Sequence, residues 1–280
     1  MKPTYIGIGA QKCASTWLHR ILAAHPEVGI ASAKEIDFFS FYFDRGYQWY
    51  ERQLSSCRQS AVAGEISPSY FCDYLAPQRI QAYAPDAKII LSLRNPVERA
   101  LSNHRHEVRA GHIDGPDYSF ERGLENNPMY VEQSLYAKHL RRWLQFFHRE
   151  QILIILMDDV ASRPATVART VYQFVGVNPD FKSGMESQKF NRSFVNRSDR
   201  LFDLKERLYH YTRSPFTRWI WELGSLLGLK SIYRKFNQKP SELFIPEPTE
   251  QSLSQLRDIF APEITDLEEM LGQSLESWRI

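Results

Sequence analysis

The chain has 280 residues, of which 43% are hydrophobic and 24% are charged. This composition is that of an ordinary globular protein and excludes a disordered, collagen-like or low-complexity chain. The 35 basic and 33 acidic side chains leave a net charge of +2, which excludes a bulk polycation and gives no sign of a nucleic-acid partner.

The amino terminus, MKPTYIGIGAQK, lacks the long apolar stretch of a signal peptide. No apolar run approaches the ~20 residues that a membrane-spanning helix needs. The three cysteines are odd in number and widely spaced, which argues against a disulfide framework or a zinc site. We therefore expect a cytoplasmic protein without a transmembrane segment.

Strands and helices alternate over the first half of the chain. The apolar, glycine-containing segment 5–10 predicts a buried strand, and apolar residues at helical spacing over 17–22 predict a helix that stops before Pro26. Further strands are predicted at 61–66 and 87–93. This order indicates an α/β protein whose parallel β-sheet is flanked by helices.

A helix start follows the third predicted strand. Asn95 reads as the N-cap, Pro96 as the first helical residue and Glu98 as the partner in a capping box. Beyond it the pattern predicts a helix over 135–147 and a strand over 151–157.

The last part of the α/β pattern is one more helix. It begins at a Ser162-Arg-Pro cap and ends at Gly176.

The pattern changes after residue 180. Residues 180–200 are polar and predict a long loop, residues 201–236 predict a basic, aromatic helical hairpin, and residues 250–271 predict a final helix. We expect one domain over 1–280, with a core at 4–195 and a helical C-terminal elaboration at 200–280.

The segment between the first strand and the first helix has the chemistry of an anion site. Its small residues allow the backbone to wrap a phosphate, and the start of the helix supplies free N–H groups and a positive dipole. Ser15 and Thr16 add hydroxyls, and Lys12 adds a mobile charge. The alternative is a tight turn with an exposed lysine.

Two common phosphate motifs do not fit this loop. Lys12 stands where the dinucleotide fingerprint needs its third glycine. The glycine that precedes the lysine in the Walker motif is absent, and Cys13 replaces the hydroxyl that binds magnesium. The loop therefore predicts an anion site that requires no metal.

Four motifs in order carry a family resemblance. They are GAQKCAST at 9–16, KEIDFF at 34–39, GEISPSYF at 64–71 and LRNPVERALS at 93–102. Together they resemble the sulfotransferases that use 3′-phosphoadenosine 5′-phosphosulfate (PAPS), most closely the heparan sulfate N- and O-sulfotransferase branch and its bacterial relatives. The resemblance implies a P-loop-like sulfotransferase fold.

The resemblance also implies the donor site. Lys12 would neutralise the charge that builds on the leaving phosphate, and Arg94 and Ser102 match the family's 3′-phosphate site. A surface arginine beside a helix cap is the alternative for Arg94. The residues implied to bind the 5′-phosphosulfate are Lys12, Cys13, Ala14, Ser15, Thr16 and Trp17.

Glu35 matches the family's general base. Aromatic residues follow it, so we expect partial desolvation to raise its pKa and strengthen it as a base. The alternatives are a solvated pair with Lys34 or a catalytic role for the nearby Asp37. His106, four residues beyond Ser102 and on the same helix face, is a secondary acid–base candidate.

The implied function is transfer of a sulfuryl group to a hydroxyl or amine of a carbohydrate or small molecule. Several heparan sulfate enzymes carry a lysine where this chain has Ile66, which weakens the case for a polyanionic glycan. The alternatives are an ATP-dependent small-molecule kinase and a non-catalytic nucleotide-binding protein. The acceptor and the oligomeric state stay open.

Overall fold

The computed structural model describes residues 2–31, 34–57, 60–113, 118–187, 194–196, 238–240 and 245–279. Its centre is a parallel sheet of five strands. They are β1 (Tyr5–Gly9), β2 (Val28–Ile30), β3 (Val62–Ile66), β4 (Lys88–Leu93) and β5 (Ile152–Leu156). The spatial order is β2-β3-β1-β4-β5, so the strand that precedes the predicted phosphate loop lies in the middle.

Close approach between β1 and β3 depends on one glycine. Tyr5 pairs with Gly64 in the register of these strands. A Cβ atom at Gly64 would stand 2.1 Å from the backbone oxygen of Tyr5 and would force the strands apart. Every residue of both strands is buried, as expected where helices cover both faces of a parallel sheet.

The helices follow the alternation that the sequence predicts, with additional short segments between them. In chain order they are α1 (Ser15–Ala24), α2 (Tyr47–Gln53), α3 (Ala76–Tyr83), α4 (Pro96–Ala110), α5 (Phe120–Asn126), α6 (Met129–Glu132), α7 (Tyr136–Trp143), α8 (Met157–Ser162), α9 (Pro164–Val175) and α10 (Glu250–Leu271).

Several predicted boundaries are confirmed and others shift. Helix α10 has the predicted bounds, and Gly176 ends α9 in a left-handed conformation. The helix predicted over 135–147 is shorter, and Arg163 rather than Ser162 is the N-cap of α9. Strand β2 was not predicted, because three residues are too few to show a period and it forms by pairing with β3.

The main core lies between the sheet and the helices α1 and α9. Leu18 and Ile21 from α1 and Val171 and Tyr172 from α9 are buried there beside Tyr5 of β1. Burial of each large apolar side chain stabilises the fold by about 1.5–3 kcal/mol. This packing holds α1 and α9 against the sheet.

The chain divides into two compact units. The first contains Met1–Ala100, Pro128–Asn191 and Leu253–Ile280, and the second contains Leu101–Asn127 and Arg192–Ser252. The sheet and the loops that follow β1, β3 and β4 belong to the first unit. Among the helices that the structure describes, none has a stretch long and apolar enough to span a bilayer.

The second unit contains a short antiparallel pair. Strand β6 (Phe194–Asn196) pairs with β7 (Gln238–Pro240). The prediction that 180–200 is a loop throughout is therefore wrong at β6. The predicted helical hairpin at 201–236 lies outside the described residues.

Candidate active site at the carboxyl ends of the strands

Three loops leave the same edge of the sheet. Strands β3, β1 and β4 are adjacent and parallel, so the segments after Ile66, Gly9 and Leu93 all start at their carboxyl ends. Ligands of open α/β sheets bind at this edge. The sequence motifs at 9–16 and 64–71, with residues 93–100 of the third motif, are thus brought together by the fold.

The sheet holds the first loop by its backbone. The N–H of Ala10 donates to the Ser92 oxygen at 2.8 Å, and the Ser92 hydroxyl lies against the backbone oxygens of Gly9, at 3.2 Å, and Cys13. A Cβ at Gly9 would stand 2.9 Å from the Pro68 oxygen. Glycine therefore lets the loops after β1 and β3 approach closely.

The loop ends in an uncapped helix start. Lys12 and Ala14 adopt left-handed conformations with φ of 65° and 67°. Ala14 is the N-cap of α1 and has no side-chain oxygen to accept a first-turn N–H, and that turn contains no acidic residue. Such a helix start offers N–H groups and a positive dipole to an anion. The partly buried Lys12, Ser15 and Thr16 border it.

The side chain of Cys13 points into the protein. Its Sγ lies 3.4 Å from the Gln11 oxygen and 3.7 Å from the hydroxyl of Tyr136. Burial raises the pKa of the thiol to about 11, so it stays neutral. The Ser92 hydroxyl, two residues before Arg94, binds the backbone oxygen of Cys13, which joins the two phosphate motifs. Any contact of Cys13 with a ligand is through its backbone.

Trp17 is also committed to the protein. Its indole Nε1 donates to the backbone oxygen of Glu186 at 2.9 Å, and its side chain is buried. Like Cys13, Trp17 can contact a bound sulfuryl donor only through its backbone.

Arg94 begins the segment after β4. Its Nε and Nη2 each lie 2.9 Å from the Glu98 carboxylate, and the side chain is 19% exposed. Asn95 accepts from the backbone N–H of Val97 at 3.0 Å, which confirms the predicted N-cap. The predicted capping box is wrong, because the Glu98 side chain binds Arg94 and not the N-cap backbone.

Arg99, in the same motif, has a structural role that the sequence analysis missed. It is fully buried, and burial lowers its pKa. Its guanidinium donates to Ser134, to the Gln133 side chain at 3.0 Å and to the backbone oxygen of Tyr130. It therefore ties the start of α4 to the segment joining α6 and α7.

The segment after β2 approaches the start of α1. The Lys34 ammonium donates to the Thr16 hydroxyl at 2.7 Å and lies 3.5 Å from the Glu35 carboxylate. The Glu35 side chain is 45% exposed, so the expected desolvation by the following aromatic residues is not found. The solvated Lys34–Glu35 pair that the sequence left open is present.

Asp37 is the less exposed of the two carboxylates in this segment, and burial raises its pKa. Glu35 and Asp37 have φ of 65° and 53°. With Lys12 and Ala14 they are the non-glycine residues in the left-handed region within the part of the chain that the structure describes. Backbone strain of this kind clusters at functional sites.

Glu65 is a further carboxylate at this edge, and the sequence analysis assigned it no role. It lies one residue before the end of β3 and is 1% exposed. Ser67 Oγ donates to one carboxylate oxygen at 2.6 Å, and Tyr70 OH donates to the other at 2.7 Å. Burial raises the pKa of Glu65 to about 7. The available signal was a single charge within an otherwise apolar strand.

Ser102 and His106 lie on α4 within the second compact unit. His106 Nδ1 is 2.6 Å from Arg109 Nη2. A guanidinium has no lone pair to offer, so Nδ1 accepts and the imidazole carries its proton on Nε2. The places of Ser102 and His106 in a site with the loop stay a prediction.

The residues suited to hold a nucleotide anion are the loop amides, Lys12 and Arg94. Their chemistry fits an anionic donor, because they combine N–H donors with two positive charges. Among the described residues, no group of three or more His, Cys, Asp and Glu side chains could hold a metal ion.

Comparison with known proteins identifies the family. The family model described as "Sulfotransferase domain" matches residues 3–219. Mouse (Mus musculus) heparan sulfate glucosamine 3-O-sulfotransferase 6 is 32% identical over 180 residues, which cover 62% of this chain and 52% of the relative. Mouse bifunctional heparan sulfate N-deacetylase/N-sulfotransferase 1 is 33% identical over 198 residues, covering 62% and 22%. The chain thus spans about half the length of the first relative and less of the second.

A solved structure matches the whole fold. The crystal structure of a sulfotransferase from Alicyclobacillus acidocaldarius superposes with a TM-score of 0.70, at 25% identity and with 100% of both chains covered. The five-stranded parallel sheet, its flanking helices and the loop after β1 thus form the P-loop-like sulfotransferase fold. The chain belongs to the sulfotransferase domain family.

Proposed function

We propose that this protein transfers a sulfuryl group from PAPS to a hydroxyl or amine of a carbohydrate or small-molecule acceptor. The observation that carries the proposal is the meeting of three motifs at one edge of the sheet. The loop with Lys12 is bound through the Cys13 backbone oxygen to Ser92, two residues before Arg94, and Lys34 links Thr16 to Glu35. Sulfuryl transfer needs a loop that binds the donor, a cation for its second phosphate and a carboxylate that accepts a proton. The loop with Lys12, Arg94 and Glu35 supply these three groups in this proposal.

The loop and Arg94 bind the donor in this proposal. The first-turn N–H groups of α1, with Ser15 and Thr16, hold the 5′-phosphosulfate, and Lys12 neutralises the leaving phosphate oxygen. Arg94 holds the 3′-phosphate, for which a planar guanidinium is well suited, and Ser102 is the second residue that the family resemblance assigns to this phosphate. The guanidinium pairs with Glu98 in the first turn of α4.

Glu35 is the general base in this proposal. It accepts the proton of the acceptor hydroxyl or amine while the acceptor atom forms a bond to sulfur. The bond between sulfur and the bridging phosphate oxygen breaks, and its electron pair leaves with adenosine 3′,5′-bisphosphate. Since the carboxylate is 45% exposed, it can reach an acceptor that enters from solvent. His106 is at most an assisting group.

The relatives bear on the acceptor class. Two of them are named as heparan sulfate sulfotransferases, which supports a carbohydrate. The Ile66 side chain is buried against Gly7, so no charge stands there to meet a polyanion. We therefore infer a carbohydrate or small molecule of lower charge than heparan sulfate.

The kinase alternative is not favoured. Its magnesium ligand would be a hydroxyl at position 13, and the thiol that stands there faces the interior.

All three cysteines of the chain are free thiols, which supports our proposal of a reducing, cytoplasmic environment.

Ligand binding and sulfate transfer test the proposal. A ligand at 100 times its dissociation constant stabilises the native state by about 2.7 kcal/mol. Adenosine 3′,5′-bisphosphate should therefore raise the melting temperature by several degrees, and ATP at the same concentration should raise it less. Transfer of labelled sulfate from PAPS to one of a panel of sugars, phenols and amines should follow. Equal stabilisation by ATP, or no transfer to any acceptor class, would contradict the proposal.

A further inference from the structure

The carboxylate of Glu65 is placed to act on the segment that carries Glu35. Ser67 connects the two, since its hydroxyl donates to Glu65 Oε2 at 2.6 Å and accepts from the backbone N–H of Asp37 at 2.9 Å. A hydroxyl has a single proton. Because Glu65 takes that proton, the lone pairs of Ser67 are directed at Asp37.

Asp37 is in turn held at three points. Its N–H binds Ser67, its Oδ1 accepts from Ser69 Oγ at 2.6 Å, and its carbonyl accepts from the N–H of Phe41 at 2.9 Å. It also has a left-handed backbone, which persists only where its surroundings impose it. Of these three anchors, the one at the N–H is set by Glu65.

Glu35 has no comparable anchor of its own side chain. Within the part of the chain that the structure describes, its side chain has one partner, the Lys34 ammonium at 3.5 Å, and both side chains are well exposed. Its direction therefore depends on the backbone that follows, in which Ile36 is buried and Asp37 is fixed. Loss of the hydrogen bond at the Asp37 N–H would therefore reorient the Glu35 carboxylate, which has to meet an incoming acceptor.

A glutamine at position 65 could not accept both of the hydrogen bonds that Glu65 accepts. The carboxylate offers two acceptor oxygens, one to Ser67 and one to the phenol of Tyr70. A carboxamide has one oxygen and an NH₂ group, so one of the two hydroxyls would have to reverse and accept. A buried network that is only partly satisfied loses its defined geometry.

We propose that Glu65 is a positioning residue for sulfuryl transfer, which fixes the backbone of Asp37 through Ser67 and thereby directs Glu35 at the acceptor. This inference rests on the proposed function, because the reaction that it supports is the one assigned there to Glu35. It differs from a role in donor binding, since among the described residues no hydrogen bond of Glu65, Ser67 or Tyr70 reaches residues 10–16.

Two variants test the link from either end. Glu65→Gln and Ser67→Ala should each lower kcat by 10- to 100-fold, while the affinity for adenosine 3′,5′-bisphosphate stays within twofold of the parent. If both act through the same hydrogen bond, the double variant should be no slower than the slower single variant. Tyr83→Phe is the matched control, because it removes a phenol that likewise donates to a carboxylate, that of Glu51 at 2.7 Å, but has no hydrogen bond to Glu65 or Ser67 among the described residues. It should leave kcat within twofold.

Backbone amide exchange supplies a readout that does not depend on activity. In both variants, exchange of the amides in 35–39 should accelerate at least tenfold, and exchange in 9–16 should not change. Ser67→Ala carries the test if Glu65→Gln does not fold.

The outcomes separate this proposal from the proposed function. A parent enzyme that transfers no sulfate overturns the proposed function, and with it the catalytic part of this inference. An active parent, together with variants whose kcat stays within twofold or whose exchange in 35–39 is unchanged, overturns the role of Glu65 alone. Equal losses of kcat and of bisphosphate affinity would also overturn it, because they indicate general damage to the fold.

Discussion

Residues 9–16 and residues 34–39 border the same candidate site and are held in different ways. The backbone of the first segment is fixed by neutral groups: the Ser92 hydroxyl, backbone N–H groups and the un-ionised thiol of Cys13. The second is fixed through carboxylates, with Asp37 bound to Ser67 and Ser69 and Glu65 behind them.

This difference separates donor binding from acceptor chemistry. A phosphate cradle built from amides and hydroxyls keeps its shape over a wide range of pH, because none of those groups titrates near neutrality. A segment anchored on buried carboxylates changes when those carboxylates gain protons. Each segment also holds two strained residues, so both are preorganised by the surrounding structure. A variant of the donor segment should therefore leave kcat at saturating donor nearly unchanged, and a variant of the acceptor segment should leave bisphosphate affinity nearly unchanged.

The largest expected effect is on the chemical step. Glu35→Gln keeps the shape of the side chain but cannot accept a proton at neutral pH, so kcat should fall by about 10²–10⁴. Bisphosphate affinity should stay within threefold, because a lost base acts on the transition state. Steady-state kinetics and calorimetry measure the two quantities.

The matched control for that variant is Glu150→Gln. Glu150 is an exposed glutamate that precedes β5 and therefore lies at the opposite, amino edge of the sheet. It should leave kcat unchanged. Near-parental turnover of Glu35→Gln would remove Glu35 from the role of base and make Asp37 the leading candidate.

The next effect is on stability as a function of pH. Burial raises the pKa of Glu65 from its ordinary 4.5 to about 7, so between these values the native state holds a proton that the unfolded chain has lost. Stability from this group is therefore greatest below pH 4.5, falls as pH rises, and levels off above pH 7. The full change is about 3 kcal/mol, at 1.36 kcal/mol per pKa unit.

Urea unfolding at pH 5 and pH 8 checks this prediction. The free energy of unfolding should fall over this interval by more in the parent than in Glu65→Gln, because glutamine does not titrate. The neighbouring phenols of Tyr5, Tyr50 and Tyr70 stay neutral throughout, and Asp37 is common to both proteins. An identical pH dependence in the two proteins would show that Glu65 keeps its ordinary pKa.

A smaller effect is expected at the donor side. Arg94→Ala should weaken bisphosphate binding by about 1.5–3 kcal/mol, the range for a hydrogen bond to a charged group, with little change in kcat at saturating donor. Arg163→Ala is the control, because Arg163 pairs with a carboxylate four residues away, as Arg94 does, at 2.8 Å. Bisphosphate affinity that is equal in the two variants would contradict the assignment of Arg94.

The smallest effect is expected from chelation. In the proposed mechanism Lys12 and the first-turn amides supply the positive field that magnesium supplies in kinases, and position 13 offers no hydroxyl ligand. Sulfate transfer should therefore stay within twofold of its rate after treatment with excess EDTA. Loss of activity that magnesium restores would return the kinase alternative to consideration.

The sequence by itself determined four of the five sheet strands, the helix after the loop and the N-cap at Asn95. These elements follow from local signals: continuous apolar runs, helical spacing, and the Asn95-Pro96 start. The order of the four motifs was sufficient to identify the family, because the motifs at 9–16, 64–71 and 93–102 begin within or at the end of strands whose positions are set locally. Glu35, Lys12 and Arg94 were named on that basis, and their roles stay predictions.

Tertiary structure decided the rest. Strand β2, the order of the strands and the contact between Lys34 and Thr16 depend on residues far apart in the chain. The sequence placed the desolvated carboxylate at Glu35, and the structure places it at Glu65. Burial of a charge depends on what packs around it, and Tyr50, Ser67 and Tyr70 enclose Glu65 only after three elements have come together. The local sequence pattern therefore locates the edge of the sheet at which the site lies, while long-range packing determines which of its ionisable groups are exposed to solvent.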